Sequence, residues 1–454
     1  MNTPLADFVR AYAGKGVSRF HMPGHKGKGP LGCEAWDITE IAGADSLYEA
    51  SGIIAESEAN AAALFGSGAT FYSTEGSSQC IRAMLYLALA ERPAGTPPVV
   101  LAARNVHKSF LYAAALLDFE PVWLWPEEGA GSLCACPVTA SGLEKALDAL
   151  PAPPAAVYIT SPDYLGGMAD MAAMAEVCRR RGTLLLADNA HGAYLRFLEP
   201  SRHPLDLGAD LCCDSAHKTL PVLTGGAYLH ISKTAPAALR ERARGALALF
   251  GSTSPSYLIL SSLDLCNRCL AEEYGTLLAE TIGQLAEVKT RLREKGWKLF
   301  PSDPLRLTVD AAASGWAGEE LAGRLRQGGV EPEYADPDYL VLMASPGNSG
   351  ADWAAVLEAL GEGRRPGRPR LPLPQARGER AMSPRQAVLS PQEDVPAEES
   401  LGRICGGPTV SCPPAVPIAA AGERIGPEAL ALFRRYGVGR VDVVKEEPHE
   451  GYGN

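Results

Sequence analysis

"CCDSAHKTLPVLTGGAYLH", residues 212–230, sets one lysine, Lys218, behind Ser-Ala-His and ahead of a turn with a proline and two glycines. A lysine in a turn at the end of an apolar strand is stripped of water, and a desolvated lysine becomes a nucleophilic amine. The end of this stretch, continued as GAYLHIS (226–232), is a short β-rich run. Upstream lie four more: TLLLAD (183–188), AAVYITS (155–161), PVWLW (121–125) and PPVVLAA (97–103). Most are apolar throughout rather than alternating, as strands covered on both faces are. Helix-length stretches such as SSQCIRAMLYLALAER (77–92) and MAAMAEVCRRRG (171–182) separate them. Strands and helices alternating from about residue 60 to 230 predict an α/β fold with a mostly parallel sheet.

Beyond this core, residues 255–297 read as one long helix, and LRLTVDA (305–311) and DYLVLMAS (338–345) as strands of a smaller α/β unit. The division expected is an N-terminal arm (1–50), a large domain (51–265), a small α/β domain with its linking helix (266–365), a Pro/Arg-rich, loosely ordered linker (366–399) and a C-terminal segment (400–454).

A net charge of −11 argues against a nucleic-acid partner, which would call for a basic face. No apolar run approaches the roughly 20 residues needed to span a bilayer, and the start MNTPLADFVR shows no signal-peptide core. A soluble, cytoplasmic protein with small-molecule partners is expected. The eleven cysteines are scattered as buried thiols are. Cys266 and Cys269 have C-x-x-C spacing without a second pair, and His21, His25 and Cys33 fit a bracing loop better than a metal site. No metal is expected.

Three signals upstream of Lys218 alter how it is read. Asp188 ends the TLLLAD run, with His191 three residues on. Strand carboxyl ends in an open α/β sheet point into the ligand crevice, where a buried aspartate can keep a pyridine nitrogen protonated; a helix-capping role is the alternative. Gly76, Ser77 and Ser78 open a helical run, offering backbone amides and a helix dipole to a phosphate, or an ordinary N-cap. His107 follows the PPVVLAA run, placed to stack on an aromatic ligand or to serve a structural role.

This order of phosphate turn, histidine, aspartate and Ser-x-His-Lys resembles that of fold-type I pyridoxal-phosphate enzymes. With RFHMPGHKG (19–27), TSPDYLGGMADM, DNAHGAYL and STSPSYLILSSLD, the chain resembles the Orn/Lys/Arg decarboxylase family in its shorter bacterial form, from about residue 5 to 265 and again near the C-terminus. The resemblance implies pyridoxal 5'-phosphate as cofactor, Lys218 as the lysine of the internal aldimine, Asp188 at the pyridinium nitrogen and His107 on the ring face. It places Gly76, Ser77, Ser78, Ser215 and His217 around the phosphate and His191 at the ring's hydroxyl edge. It also implies a homodimer or higher homo-oligomer, with Thr253 and Ser254 reaching the neighbouring chain's cofactor across the dimer interface. The activity implied is decarboxylation of arginine, lysine or ornithine, feeding polyamine synthesis or acid consumption.

Departures from the family pattern concern the substrate. Asn189 replaces a glutamate, and in GRICGGPTVSCPPAVP the residues Gly407, Cys412 and Ala415 stand where the family has glutamate, tyrosine and glycine. A missing acid removes a partner for a distal cation, an interaction worth roughly 1.5–3 kcal/mol. Rival readings are an aminotransferase or lyase, with Arg306, Arg324 or Arg326 clamping a carboxylate, and a cofactor-binding protein without turnover.

Overall fold

The computed structural model describes residues 1–126, 131–370, 373–408 and 414–446. Seven strands form the main sheet: β1 (Ala69–Ser73), β2 (Val99–Ala103), β3 (Glu120–Leu124), β4 (Ala156–Thr160), β5 (Leu184–Asp188), β6 (Leu211–Asp214) and β7 (Ala227–Ile231), in the order β1-β7-β6-β5-β4-β2-β3. Only β7 runs against the rest, pairing antiparallel with both β1 and β6. The other pairs are parallel.

The apolar runs earn their place by burial on both faces. Leu101, Val157 and Leu185 pack toward the helices Ala140–Asp148 and Met171–Arg181. Their neighbours Val100, Tyr158 and Leu186 pack the opposite way, toward Gly76–Glu91, Lys108–Leu117 and Ala237–Ala248. Met171–Arg181 begins where the Asp170 side chain accepts from the Ala173 amide at 3.0 Å, and stops at Gly182, whose φ of 63° only glycine adopts without strain.

The carboxyl ends of β1, β2, β4, β5 and β6 all lie along one edge, and the chain reverses its direction of sheet growth between β2 and β4. Such an edge is where open α/β sheets bind ligands. β7 arrives there by its amino end, so that the Gly76 amide donates to the Gly225 carbonyl at 2.7 Å.

A three-stranded antiparallel sheet follows, with β8 (Arg306–Asp310), β9 (Tyr334–Ala335) and β10 (Tyr339–Met343) in the order β8-β10-β9. The expected single helix over 255–297 is two, Tyr257–Glu272 and Tyr274–Glu294, broken at Glu273 where φ is −137°. The stretch 366–399, expected to be loosely ordered throughout, is ordered in its second half. Helix Pro384–Leu389 carries a Ser383–Gln386 capping box, and β11 (Gln392–Pro396) pairs antiparallel with β12 (Arg440–Val444). At the other end, helix Pro4–Gly14 is anchored by Asp264, which accepts from the Leu5 and Ala6 amides at 3.0 and 2.9 Å. Among the described residues no helix is long and apolar enough to cross a membrane.

Candidate active site

A cavity of about 230 Å³ opens at that strand edge, and its wall gathers residues from seven separate stretches of chain. Gly76, Ser77, Ser78, His107, Asp188, His191, Ser215, His217 and Lys218 all line it. Thr253 and Ser254 do not: they are exposed on this chain's surface, in a loop whose Ser252 amide donates to Glu75 at 2.6 Å, beside the Gly76 turn.

One end of the cavity is built for an anion. Gly76, at a φ of +70°, turns the chain from β1 into the 16-residue helix it begins. The Ser77 and Ser78 hydroxyls sit on the first turn, where free amides and the helix dipole favour negative charge. Ser215 reaches Ser77 across 2.8 Å, and Ser109 reaches Ser78 at the same distance.

At the cavity floor Asp188 is 2% exposed. Its oxygens accept from the Tyr158 hydroxyl at 3.0 Å and the Ala190 amide at 3.2 Å, with the Cys213 thiol at 3.7 Å. Burial pushes its carboxyl up, and these donors together with the Lys218 charge reverse only part of that. A buried carboxylate so poorly compensated favours a cation against it. His107 caps Lys108–Leu117, its Nδ1 accepting from the Ser109 amide at 3.2 Å, which fixes the ring at the cavity wall. Burial, reinforced by Lys218, pushes its pKa down to about 4, so the ring is neutral at pH 7.

Lys218 lies on the four-residue helix Ala216–Thr219 directly after β6. Burial lowers its pKa, and its Nζ sits 2.8 Å from His191 Nε2. The Tyr164 ring meets the His191 ring with centroids 4.9 Å apart. Thr160 Oγ1 and Asn105 Oδ1, both buried at residues of the cavity wall, have no hydrogen-bond partner. An aromatic phosphate with polar ring substituents fits this set: anion donors at one end, a carboxylate for a ring cation below, a histidine at the wall and an amine for an aldehyde.

The C-terminal segment singled out in the sequence reaches the site, and Asn105, Cys134 and Tyr164 join it unannounced. Pro414, Ala415 and Val416 carry the C-terminal segment into the cavity wall. Ala415 holds a left-handed φ of 59°, and the Lys108 amide donates to its carbonyl at 2.9 Å. The family's glycine would suit that backbone; alanine there costs about 1–2 kcal/mol, partly offset by glycine's greater freedom when unfolded. Ala415→Gly is therefore expected to raise stability by about 0.5 kcal/mol in urea titrations. Gly407 lies away from the cavity wall, with Asp442 nearest to where its side chain would begin, 3.9 Å off. Cys412 lies outside the described residues. Of the proposed carboxylate clamps, Arg324 lies over the Trp316 ring at 4.6 Å and Arg326 pairs with Glu331 at 2.8 Å; only Arg306 reaches the site's side chains.

Behind the lysine helix, Asp214 is fully buried with His203 and His230. Its Oδ2 takes both imidazole Nε2 atoms, at 3.0 and 3.2 Å, and its Oδ1 accepts from Asn189 at 2.7 Å. The three could present ligand atoms to a metal, but the carboxylate already has three donors. We read the cluster as a brace between the ends of β5 and β6.

The sheet order and the strand-edge cavity define the fold of fold-type I pyridoxal-phosphate enzymes, and known structures agree. The constitutive lysine decarboxylase of E. coli superposes with a TM-score of 0.78 at 19% identity, over 98% of this chain and 82% of that one. A serine palmitoyltransferase of Sphingomonas wittichii gives 0.56 at 16%, over 78% and 82%. Residues 3–313 match the family model "Orn/Lys/Arg decarboxylase, major domain", and the chain belongs to that family. It is an amino-acid decarboxylase whose cofactor is pyridoxal 5'-phosphate. An arginine decarboxylase of Halalkalibacterium halodurans is 30% identical over 95% of this chain and 93% of its own. One of Bacillus subtilis is 28% identical over 96% and 94%.

Proposed function

We propose that the chain decarboxylates a basic amino acid, arginine foremost, to the corresponding amine and carbon dioxide, as a cytoplasmic homodimer. The observation that carries the reading is the convergence of Lys218, Asp188 and the Gly76–Ser78 turn on one cavity. The relatives named arginine decarboxylase, matched along nearly the whole chain, favour arginine. The amine produced is of the kind used in polyamine synthesis, and its formation consumes a proton.

Pyridoxal phosphate, when bound, supplies an acceptor for the electron pair left as carbon dioxide departs. The protein's residues do the rest. Ser77, Ser78, Ser215, His217 and the helix amides take the phosphate, and Lys218 Nζ is the amine for the aldehyde. Asp188 holds a proton at the ring nitrogen, which makes electron acceptance favourable. His107, neutral and capped in place, flanks the ring, and His191 sits at its hydroxyl edge.

Glu333 is the side chain we assign to the substrate's distal cation. It is exposed, accepts from the Tyr164 hydroxyl at 2.5 Å, and its charge acts on Lys218. Tyr164 itself lines the cavity. An exposed pair is worth less than about 1 kcal/mol, so Glu333→Gln is expected to raise KM for arginine roughly two- to fivefold with kcat unchanged. Carbon dioxide release from arginine, lysine, ornithine and neutral amino acids tests the whole reading. Release from a basic substrate alone supports it, and release from none overturns it.

The dimer is supported by the N-terminal segment. Phe20 is 96% exposed, Leu31 81% and Met22 61% on the single chain, apolar surface that a second copy would cover. Thr253 and Ser254, outside their own chain's cavity, are free to reach the partner's.

A further inference from the structure

We propose that Arg306 is a positioning residue that fixes the tautomer of His191 and, through it, holds the Lys218 amine as a hydrogen-bond acceptor, the free base. The proposal rests on the reading above only for the use made of that amine.

Arg306 is the first residue of β8, 1% exposed, and its guanidinium is committed to protein groups. Nη1 donates to the Asp163 and Tyr164 carbonyls at 2.5 and 3.0 Å. Nε faces Asp303 at 3.3 Å, and Nη2 lies 2.8 Å from His191 Nδ1. A guanidinium only donates. His191 Nδ1 therefore accepts, and the neutral ring carries its hydrogen on Nε2. That nitrogen is the one 2.8 Å from Lys218 Nζ. The ring donates there, so the amine must offer a lone pair, which an ammonium lacks.

The alternatives are disfavoured by the surroundings. A doubly protonated His191 would turn an N–H against the guanidinium, and burial beside Lys218 and Arg306 holds its pKa well below the ordinary value. Around Lys218, Asp188, Glu333 and the Cys213 thiol favour the ammonium, while burial and Arg306 oppose it. His107 and His217 also line the cavity, and Lys218 depresses the pKa of each. Among these groups the direct hydrogen bond from Nε2 selects the free base. The same geometry argues against a carboxylate-clamp role, since all three guanidinium nitrogens of Arg306 face protein partners.

The test begins with unaltered protein freed of cofactor and labelled with ¹⁵N-histidine, the His191 signals identified by their loss in His191→Phe. An unprotonated Nδ1 and a protonated Nε2 at pH 7 are expected. A protonated Nδ1, or a doubly protonated ring, overturns the proposal. Next, the pH profile of covalent cofactor uptake at Lys218 is followed by absorbance in Arg306→Met and Arg306→Lys, each checked for folding by thermal melting. Arg306→Met is expected to slow uptake at pH 7 roughly tenfold by moving the profile about one unit upward, with Arg306→Lys between it and the parent. In a His191→Phe background Arg306→Met should add only the small part owed to its lost charge, well short of the full shift. A full additional shift there would show that Arg306 acts by its charge alone, which also overturns the proposal. If the ring signals stand as expected and no amino acid yields carbon dioxide, the proposed reaction fails and this assignment does not.

Discussion

Asp188→Asn is expected to lower kcat roughly a hundred- to a thousandfold with little change in KM, measured as carbon dioxide release on the cofactor-loaded enzyme. The amide keeps the shape of the side chain; with its oxygen toward the Ala190 amide, its NH2 can donate to the Tyr158 hydroxyl in place of accepting from it, so the floor of the cavity survives. What it loses is the negative charge that holds a proton on the ring nitrogen. That charge matters most when electrons flow into the ring, so the loss falls on the transition state and appears in kcat. A change in KM alone would show that Asp188 serves only to bind.

Asp214→Ala is expected to cost about 3–5 kcal/mol of stability, read from urea unfolding of the cofactor-loaded protein. Truncation leaves the Asn189 amide and two imidazole N–H groups without an acceptor in a fully buried place. Burial alone would raise the Asp214 carboxyl, but His203 and His230 more than reverse it and hold it well below the usual carboxylate range. Because the folded pKa is depressed, the carboxylate's contribution is complete above the unfolded value of about 3.9 and fades as pH falls through the folded one. The gap between the two proteins should thus be constant from pH 5 to 8 and narrow below about pH 4. Since Asp214 immediately precedes Ser215, the loss should also weaken cofactor retention.

The strands that read clearly are those with apolar residues on both faces. β2, β4 and β5 lie in the middle of the sheet, and their runs name them. β6 is only Leu-Cys-Cys-Asp, too short to show a period, and β1, Ala-Thr-Phe-Tyr-Ser, has polar residues that pair inward: Thr70 with His230 at 2.8 Å, Ser73 with Gln79 at 2.5 Å. β11, Gln-Glu-Asp-Val-Pro, carries no strand signal of its own and exists because β12 pairs with it. At the site, Asp188 was legible because it ends a recognisable strand, the serine turn because it opens a helix, and Lys218 by its Ser-Ala-His neighbours and the glycine turn that follows. Arg306 was legible only as a possible clamp, because an arginine at the start of LRLTVDA looks like a surface charge until the fold carries it to His191. Asp214 sat unnoticed inside the quoted motif, since its partners His203 and His230 come from segments that only the folded sheet brings together.

The central claim is that Lys218 holds the cofactor for decarboxylation, and its most direct test is the visible spectrum of the purified protein beside that of Lys218→Ala, with carbon dioxide release from arginine measured on both. An absorbance band from cofactor attached through Lys218, absent in the variant, together with release by the parent protein alone, is the predicted result. A band that persists in Lys218→Ala, or no band in either protein with cofactor supplied in excess, would contradict it.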